Sequence, residues 1–240
     1  MRISFGKSSN KKLTKEEYFN LVKIGNLEDI KNSFQKKEIK DPKEKNENNQ
    51  NVLFEMLLEL VDDKKCLDIL KYLIQEQNIN PSEMDVNQQN ILFYTCAEGL
   101  LECTKYLLEN NFGIFINSID IKGNTPLFYA VRNNNFDIVK YLVEEKNCDV
   151  NIINKENRNC LYEMNEDNAS MIDFLLNKGA KSDIFLKKYM RQSGQFKVYN
   201  ILNGYNNNDF YDFYCVFDKQ NKQIDAKTLN EKFLFNNNQN

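Results

Sequence analysis

Histidine is absent from the 240-residue sequence. That removes the usual general base and the commonest metal ligand from consideration. Proline (3) and glycine (8) are scarce, which argues against a loop-rich all-β fold and suits helices. No stretch approaches the ~18–20 consecutive apolar residues of a membrane span. Met1–Ser9 also lacks the apolar core of a secretory signal. The expected location is therefore cytoplasmic, with no membrane partner. Net charge is −3, too small and of the wrong sign for a general attraction to nucleic acid. The Lys pairs at 11–12, 36–37, 64–65 and 187–188 are dispersed among acids and read as solvated surface.

Catalytic chemistry finds no foothold. A nucleophile needs a base within reach, and no histidine is available. The paired carboxylates Asp62-Asp63, Glu144-Glu145 and Glu166-Asp167 fall at expected turns or helix ends. Gly6-Lys7-Ser8 echoes the end of a phosphate loop but lacks the earlier glycine and the preceding strand. The six cysteines (66, 96, 103, 148, 160 and 215) contain no C-x-x-C pair, so they read as reduced packing residues rather than zinc ligands. The expectation is a non-enzyme with no cofactor, no metal and no small-molecule substrate. Roughly one residue in six is Asn, which sequence alone assigns to genome composition rather than to function.

What is present is repetition. Hydrophobic content is 41% and charged content 28%, within the globular range. Thr14 and Glu17 form a capping box ahead of a stripe of Tyr18, Phe19, Val22 and Ile24. Gly25-Asn26 breaks that stripe, and Leu27, Ile30 and Phe34 begin another. Farther on, Asn51-Val52-Leu53-Phe54, Asn90-Ile91-Leu92-Phe93, Thr125-Pro126-Leu127-Phe128 and Asn159-Cys160-Leu161-Tyr162 are four openings of one kind. Lys71-Tyr72-Leu73-Ile74, Lys105-Tyr106-Leu107-Leu108 and Lys140-Tyr141-Leu142-Val143 follow as matching closings. The first opening-to-closing distance is about five residues longer than the third, which places an extension in the inner helix or in the turn around Leu60–Lys65. Thr125 is suited to cap a helix with Pro126 at its first position, where a missing N–H costs nothing.

Residues 120–154, with Asp120 and Gly123 at a turn, then Thr125-Pro126-Leu127, Ala130, a second helix over Asp137–Val143 and a closing Asp149-Val150-Asn151, resemble an ankyrin repeat. The family's period is about 33 residues. The resemblance covers residues 13–182 and implies an all-α ankyrin-repeat solenoid of antiparallel helix pairs, with a non-repeat C-terminal extension. It divides the chain into a flexible tail (1–12), an N-terminal cap (13–36) and repeats at 46–84, 85–119, 120–153 and 154–182. Degenerate closing helices (183–204) and an aromatic extension (205–240) with a disordered end follow. The chain departs from the family where a His is expected after Leu; Phe54, Phe93, Phe128 and Tyr162 stand there. An aromatic ring at that position exchanges a hydrogen bond for packing.

The resemblance also implies a function. Ankyrin proteins hold a protein partner on the concave face made by the turn tips and inner helices. That face corresponds here to Val86, Asn87 and Gln89; Ile121, Lys122, Asn124, Arg132 and Asn133; and Lys155, Glu156 and Arg158. The expectation is a scaffold or adaptor for an unidentified protein, or else a regulatory subunit that blocks an enzyme or transcription factor. Phe210–Phe217 is read either as a cap over the end of the stack or as an arm that docks to a partner.

Overall fold

The computed structural model describes residues 12–60, 62–164 and 169–202. It divides into two compact units, Met1–Glu163 and Met164–Asn240. The expected tail, apart from its last residue, and the aromatic extension 205–240 lie outside the described residues, as does Cys215.

The first unit is built from helix pairs. Thr14 closes the capping box over α1 (Lys15–Ile24), and Gly25 ends that helix at φ 68°. Alanine at this position would be strained by the positive φ, and its Cβ would meet the Leu60 side chain at 2.4 Å. Asn26 accepts from two backbone N–H groups at the start of α2 (Leu27–Gln35). Then come α3 (Val52–Leu57) and α4 (Asp63–Lys71), α5 (Ile91–Glu98) and α6 (Leu101–Glu109), and α7 (Pro126–Arg132) and α8 (Phe136–Lys140). Both α4 and α8 run on into a π turn, Tyr72–Glu76 and Tyr141–Glu145. An inner row is formed by α1, α3, α5, α7 and a 3₁₀ turn at Cys160–Glu163, and α4, α6 and α8 stack as an outer row. Residues 13–36 therefore supply a helix pair, α1 on the inner row and α2 after it. Among the described residues there is no strand; Leu13 and Ile39 form one isolated bridge.

Helices this short are marginal alone, and the stacking of neighbours stabilises them. Leu53, Met56, Ile69, Leu70, Leu73, Ile91, Leu107, Val139 and Leu142 are wholly buried. The repeated Lys-Tyr closing acquires a physical meaning in the outer row. Lys71 lies 5.6 Å from the ring centre of Tyr106, and Lys105 lies 5.9 Å from that of Tyr141. Each lysine thus reaches the tyrosine of the following repeat, a cation–π tether between neighbours.

The extension in the first repeat is resolved in its details. The inner helix α3 is the shorter one, and the added residues lengthen the turn and the start of α4. They bring the Asp63 carboxylate to the N–H groups of Glu102 (2.6 Å) and Cys103 (3.1 Å). Leu100, the residue before α6, has no capping side chain of its own, so Asp63 caps the next repeat's helix. Asp63→Ala is expected to lose about 1–2 kcal/mol of stability, measured as a lower urea midpoint.

Asn51, Asn90 and Asn159 each accept a backbone N–H two residues on, from Leu53, Leu92 and Leu161. Thr125 holds the same backbone position ahead of Pro126, but its side chain makes no capping bond. The fixed φ of Pro126 starts that helix instead.

The second unit contains α9 (Ala169–Asn177), α10 (Ile184–Gln192) and α11 (Phe196–Leu202). Here α11 packs on both α9 and α10, and Met171, Ile172, Leu175, Leu186, Met190 and Val198 are buried. Gly179 leaves α9 at φ 88°, a left-handed conformation that glycine adopts readily. The unit boundary falls within the fourth repeat, whose inner segment is reduced to the 3₁₀ turn.

Candidate interaction face

Four tight turns of identical construction precede the inner segments, at Asn46–Gln50, Asp85–Gln89, Asp120–Asn124 and Asn154–Arg158. We call them fingers 1 to 4. In each, the first residue's N–H donates to the fifth residue's carbonyl, and the fourth residue's N–H donates back to the first residue's carbonyl. The fourth residue is left-handed every time: Asn49, Gln88, Gly123 and Asn157. This is the three-residue hairpin with a left-handed closing position. The first residue's carboxylate or amide oxygen accepts the N–H groups of the third and fifth residues. An Asp or Asn suits that position because its side chain bonds back onto its own turn more strongly than a Ser or Thr hydroxyl does.

The fingers are tied side by side. Val86 N–H donates to the Asn48 carbonyl, Ile121 N–H to Asn87, and Lys155 N–H to Lys122, each at 2.9–3.0 Å. Beneath them runs a second set of links. Gln50 donates to the Tyr94 hydroxyl (2.7 Å), which donates to Asp85 (2.9 Å). One repeat later, Gln89 donates to the Tyr129 hydroxyl, which donates to Asp120 at 2.7 Å. Phe54 meets Tyr94 edge-on with ring centres 5.1 Å apart, and Phe93 meets Tyr129 at 5.7 Å. The aromatic residue at the expected His position does pack, as the sequence implies. The hydrogen bond it gives up is supplied by the neighbouring tyrosine, which sequence reasoning missed.

Asp120 is the most heavily bonded group of this layer. Burial alone would raise its carboxyl, but hydrogen bonds from Tyr129, the Asn124 N–H, Gln89 and the Lys122 N–H outweigh it and hold the group below the usual carboxylate range. Burial and the bond to Asp120 push the Tyr129 hydroxyl up to about 12. Burial likewise pushes the thiols of Cys66 and Cys148 up to about 12, so both are protonated packing residues near neutral pH. Among the described residues no cluster of His, Cys, Asp or Glu is arranged to hold a metal ion, and no helix is long and apolar enough to cross a membrane.

The predicted face residues separate into four groups. Val86, Asn87, Ile121, Lys122, Lys155 and Glu156 are exposed on the fingers, and Asn133 is exposed at the end of α7. Arg132 is exposed but held: its Nε donates to Glu163 at 2.7 Å, and its guanidinium lies over Tyr129. Arg158 is half-buried and paired with Glu156 at 2.8 Å, while Gln89 is half-buried and spent on Tyr129 and Asp120.

Asn124 is a correction. It is only 3% exposed, donates to Asp120 and accepts from Asn154 at 2.8 Å. Asn124 turns inward toward the next finger, so it joins the stack and presents nothing to a partner. In the other direction, Met84, Ile119 and Ile153 are exposed beside the first residues of fingers 2, 3 and 4 and were not read from the sequence. The signal was available: each stands directly before the Asp or Asn that opens its finger, a residue that is itself buried. With Val86 (56% exposed) and Ile121 (40%) they make an apolar row across three adjacent fingers.

The family model for ankyrin repeats, in three copies, matches residues 57–154 and 122–188, which together span more than half of the chain. An alpha-latrocrustotoxin from Latrodectus tredecimguttatus is 31% identical over half of this chain, which covers 8% of the toxin. An I-kappa-B like protein of Microplitis demolitor bracovirus is 40% identical over 35% of this chain and 47% of its own. A putative ankyrin repeat protein of Fowlpox virus is 39% identical over 36% of this chain and 22% of its own. The chain thus spans less than half the length of these curated relatives. Among solved structures, a chain from the complex of a predatory endopeptidase of Bdellovibrio bacteriovorus with an immunity protein matches with a TM-score of 0.64. The match has 18% identity and covers 80% of this chain and 99% of that one; this likeness is one of fold.

Proposed function

Since the chain belongs to the ankyrin repeat family, we propose that it is a non-enzymatic binding module, a scaffold or adaptor that holds a protein partner along its finger row. The observation that carries this reading is that Met84, Val86, Ile119, Ile121 and Ile153 are all exposed on three fingers whose backbones are hydrogen-bonded side by side. Single exposed apolar residues are ordinary, but a contiguous patch marks an interaction surface. Lys122 and Lys155 border the row, so a partner segment with acidic residues flanking apolar ones matches it best.

Likeness to a protein named I-kappa-B like favours a second reading within the same fold. In it, the module is a regulatory or inhibitory subunit that covers its partner's working surface.

Capture of partners by the tagged full chain tests both readings. Val86→Asp with Ile121→Asp should abolish capture while the thermal midpoint and helical signal stay unchanged, because both side chains are in solvent. A partner retained by this double variant places the interface elsewhere. Arg132→Glu is a poorer probe, since it would set two carboxylates together at Glu163. If the module inhibits, the captured partner's activity falls on adding the wild-type chain and does not fall with the double variant.

A further inference from the structure

The residues just after the first position of each finger form a row with an order of its own. From finger 1 to finger 4 they are Glu47, Val86, Ile121 and Lys155, all exposed. The sequence of chemistries is acidic, apolar, apolar, cationic. Read from the other end, the row is its own electrostatic complement. The row just before each first position adds Lys45, Met84, Ile119 and Ile153, so fingers 2 and 3 each present a pair of apolar side chains. Neither Glu47 nor Lys155 has an ion-pair partner among the described residues. Lys45, by contrast, is engaged with Glu83 at 3.2 Å.

We propose that the finger row docks a second copy of this chain in antiparallel register about a twofold axis between fingers 2 and 3. This rests on the proposed function in that the same row is the interface; it adds the identity of one occupant. A twofold contact is self-complementary by construction, with residue i of one copy on residue j of the other and the reverse. Register is fixed by the row itself. Finger 2 of one copy meets finger 3 of the other, so Met84 and Val86 cover Ile119 and Ile121, twice. Finger 1 meets finger 4, so Glu47 faces Lys155, twice. A parallel arrangement would instead set Glu47 on Glu47 and Lys155 on Lys155, a like-charge contact that opposes it. The contact is small and its charged pairs lie at the rim, so association is weak and weakens further with salt. Self-docking then competes with any other partner for the row.

Sedimentation velocity on the full chain, from about 1 to 200 µM to bracket the affinity of a small interface, tests this directly. The wild type is expected to shift from monomer to dimer within that range, and Val86→Asp with Ile121→Asp to stay monomeric. Glu47→Lys alone and Lys155→Glu alone should each weaken dimerisation about tenfold, because each turns two attractive pairs into two repulsive ones. The two reversals in one chain should restore wild-type dimerisation, since the row is again its own complement. A wild type that remains monomeric throughout overturns the inference. So does a dimer that ignores the apolar double variant, and so does a reversed pair that fails to rescue. A monomeric wild type whose captured partner is lost on Val86→Asp with Ile121→Asp overturns the self-docking alone and leaves the proposed function standing. An acidic partner is recognised by a different pattern: Lys155→Glu weakens its capture and adding Glu47→Lys does not rescue it.

Discussion

Replacing Leu142 by alanine is expected to cost about 2–5 kcal/mol, and Leu107→Ala a similar amount. Both side chains are wholly buried, Leu107 in the outer helix α6 and Leu142 in the π turn that extends α8. The loss combines the transfer of the missing methyl groups with the cavity left between stacked helices, which cannot close without moving a neighbouring repeat. In a repeat protein such a defect weakens an interface as well as a helix pair. The expected measurement is a urea midpoint lowered for both variants. A change under about 0.5 kcal/mol, the range of surface substitutions, would mean that these positions are not packed as described.

Asp120→Ala is expected to cost about 2–4 kcal/mol, because it strands several buried donors at once. The carboxylate accepts from the N–H groups of Lys122 and Asn124 and from the Tyr129 hydroxyl at 2.7–2.9 Å, and it is itself 3% exposed. Its pKa is lowered in the folded chain. Stabilisation from this group is therefore fully present above the unfolded carboxyl's value of 3.8 and is lost as pH falls through the lower folded value. Wild-type stability should accordingly drop between about pH 4 and the acid limit, and Asp120→Asn should remove part of that drop. An Asp120→Asn variant with the same acid profile as wild type would show that the finger layer does not depend on this ionisation.

The sequence disclosed the repeats because repeated residues do repeated work. The Leu-Phe openings mark inner helices whose Leu53, Leu92 and Leu127 are all buried, and the Lys-Tyr closings mark a tether across the outer row. The fold could therefore be read from periodicity and from the ankyrin resemblance. What could not be read is pairing across repeats. Asp63 looks like a surface acid until the next helix, 39 residues away, is seen to lack a cap. Tyr94 and Tyr129 look like ordinary half-buried aromatics until the Gln of the preceding finger is placed beside them.

Asparagine shows the same limit. Its abundance reads as a compositional bias, yet Asn49, Asn78, Asn134, Asn147 and Asn157 all hold left-handed turns, a conformation Asn tolerates better than most residues. Others cap α3, α5 and the 3₁₀ turn. On the proposed face, the exposure of Val86 and Ile121 was legible from the family's pattern. Asn124 was misplaced because whether the fifth finger residue points out or in depends on the next finger. That is not encoded within one repeat.

The central claim is that the finger row, and not the outer helices, meets the partner. A photo-cross-linking residue introduced at position 121, on finger 3, and separately at position 140, on the exposed side of α8, tests this in one experiment with the captured partner. Cross-linking at 121 and none at 140 is the result expected; a second copy trapped at 121 is told from a foreign partner by the mass of the product. Cross-linking at 140 with none at 121 would contradict the account.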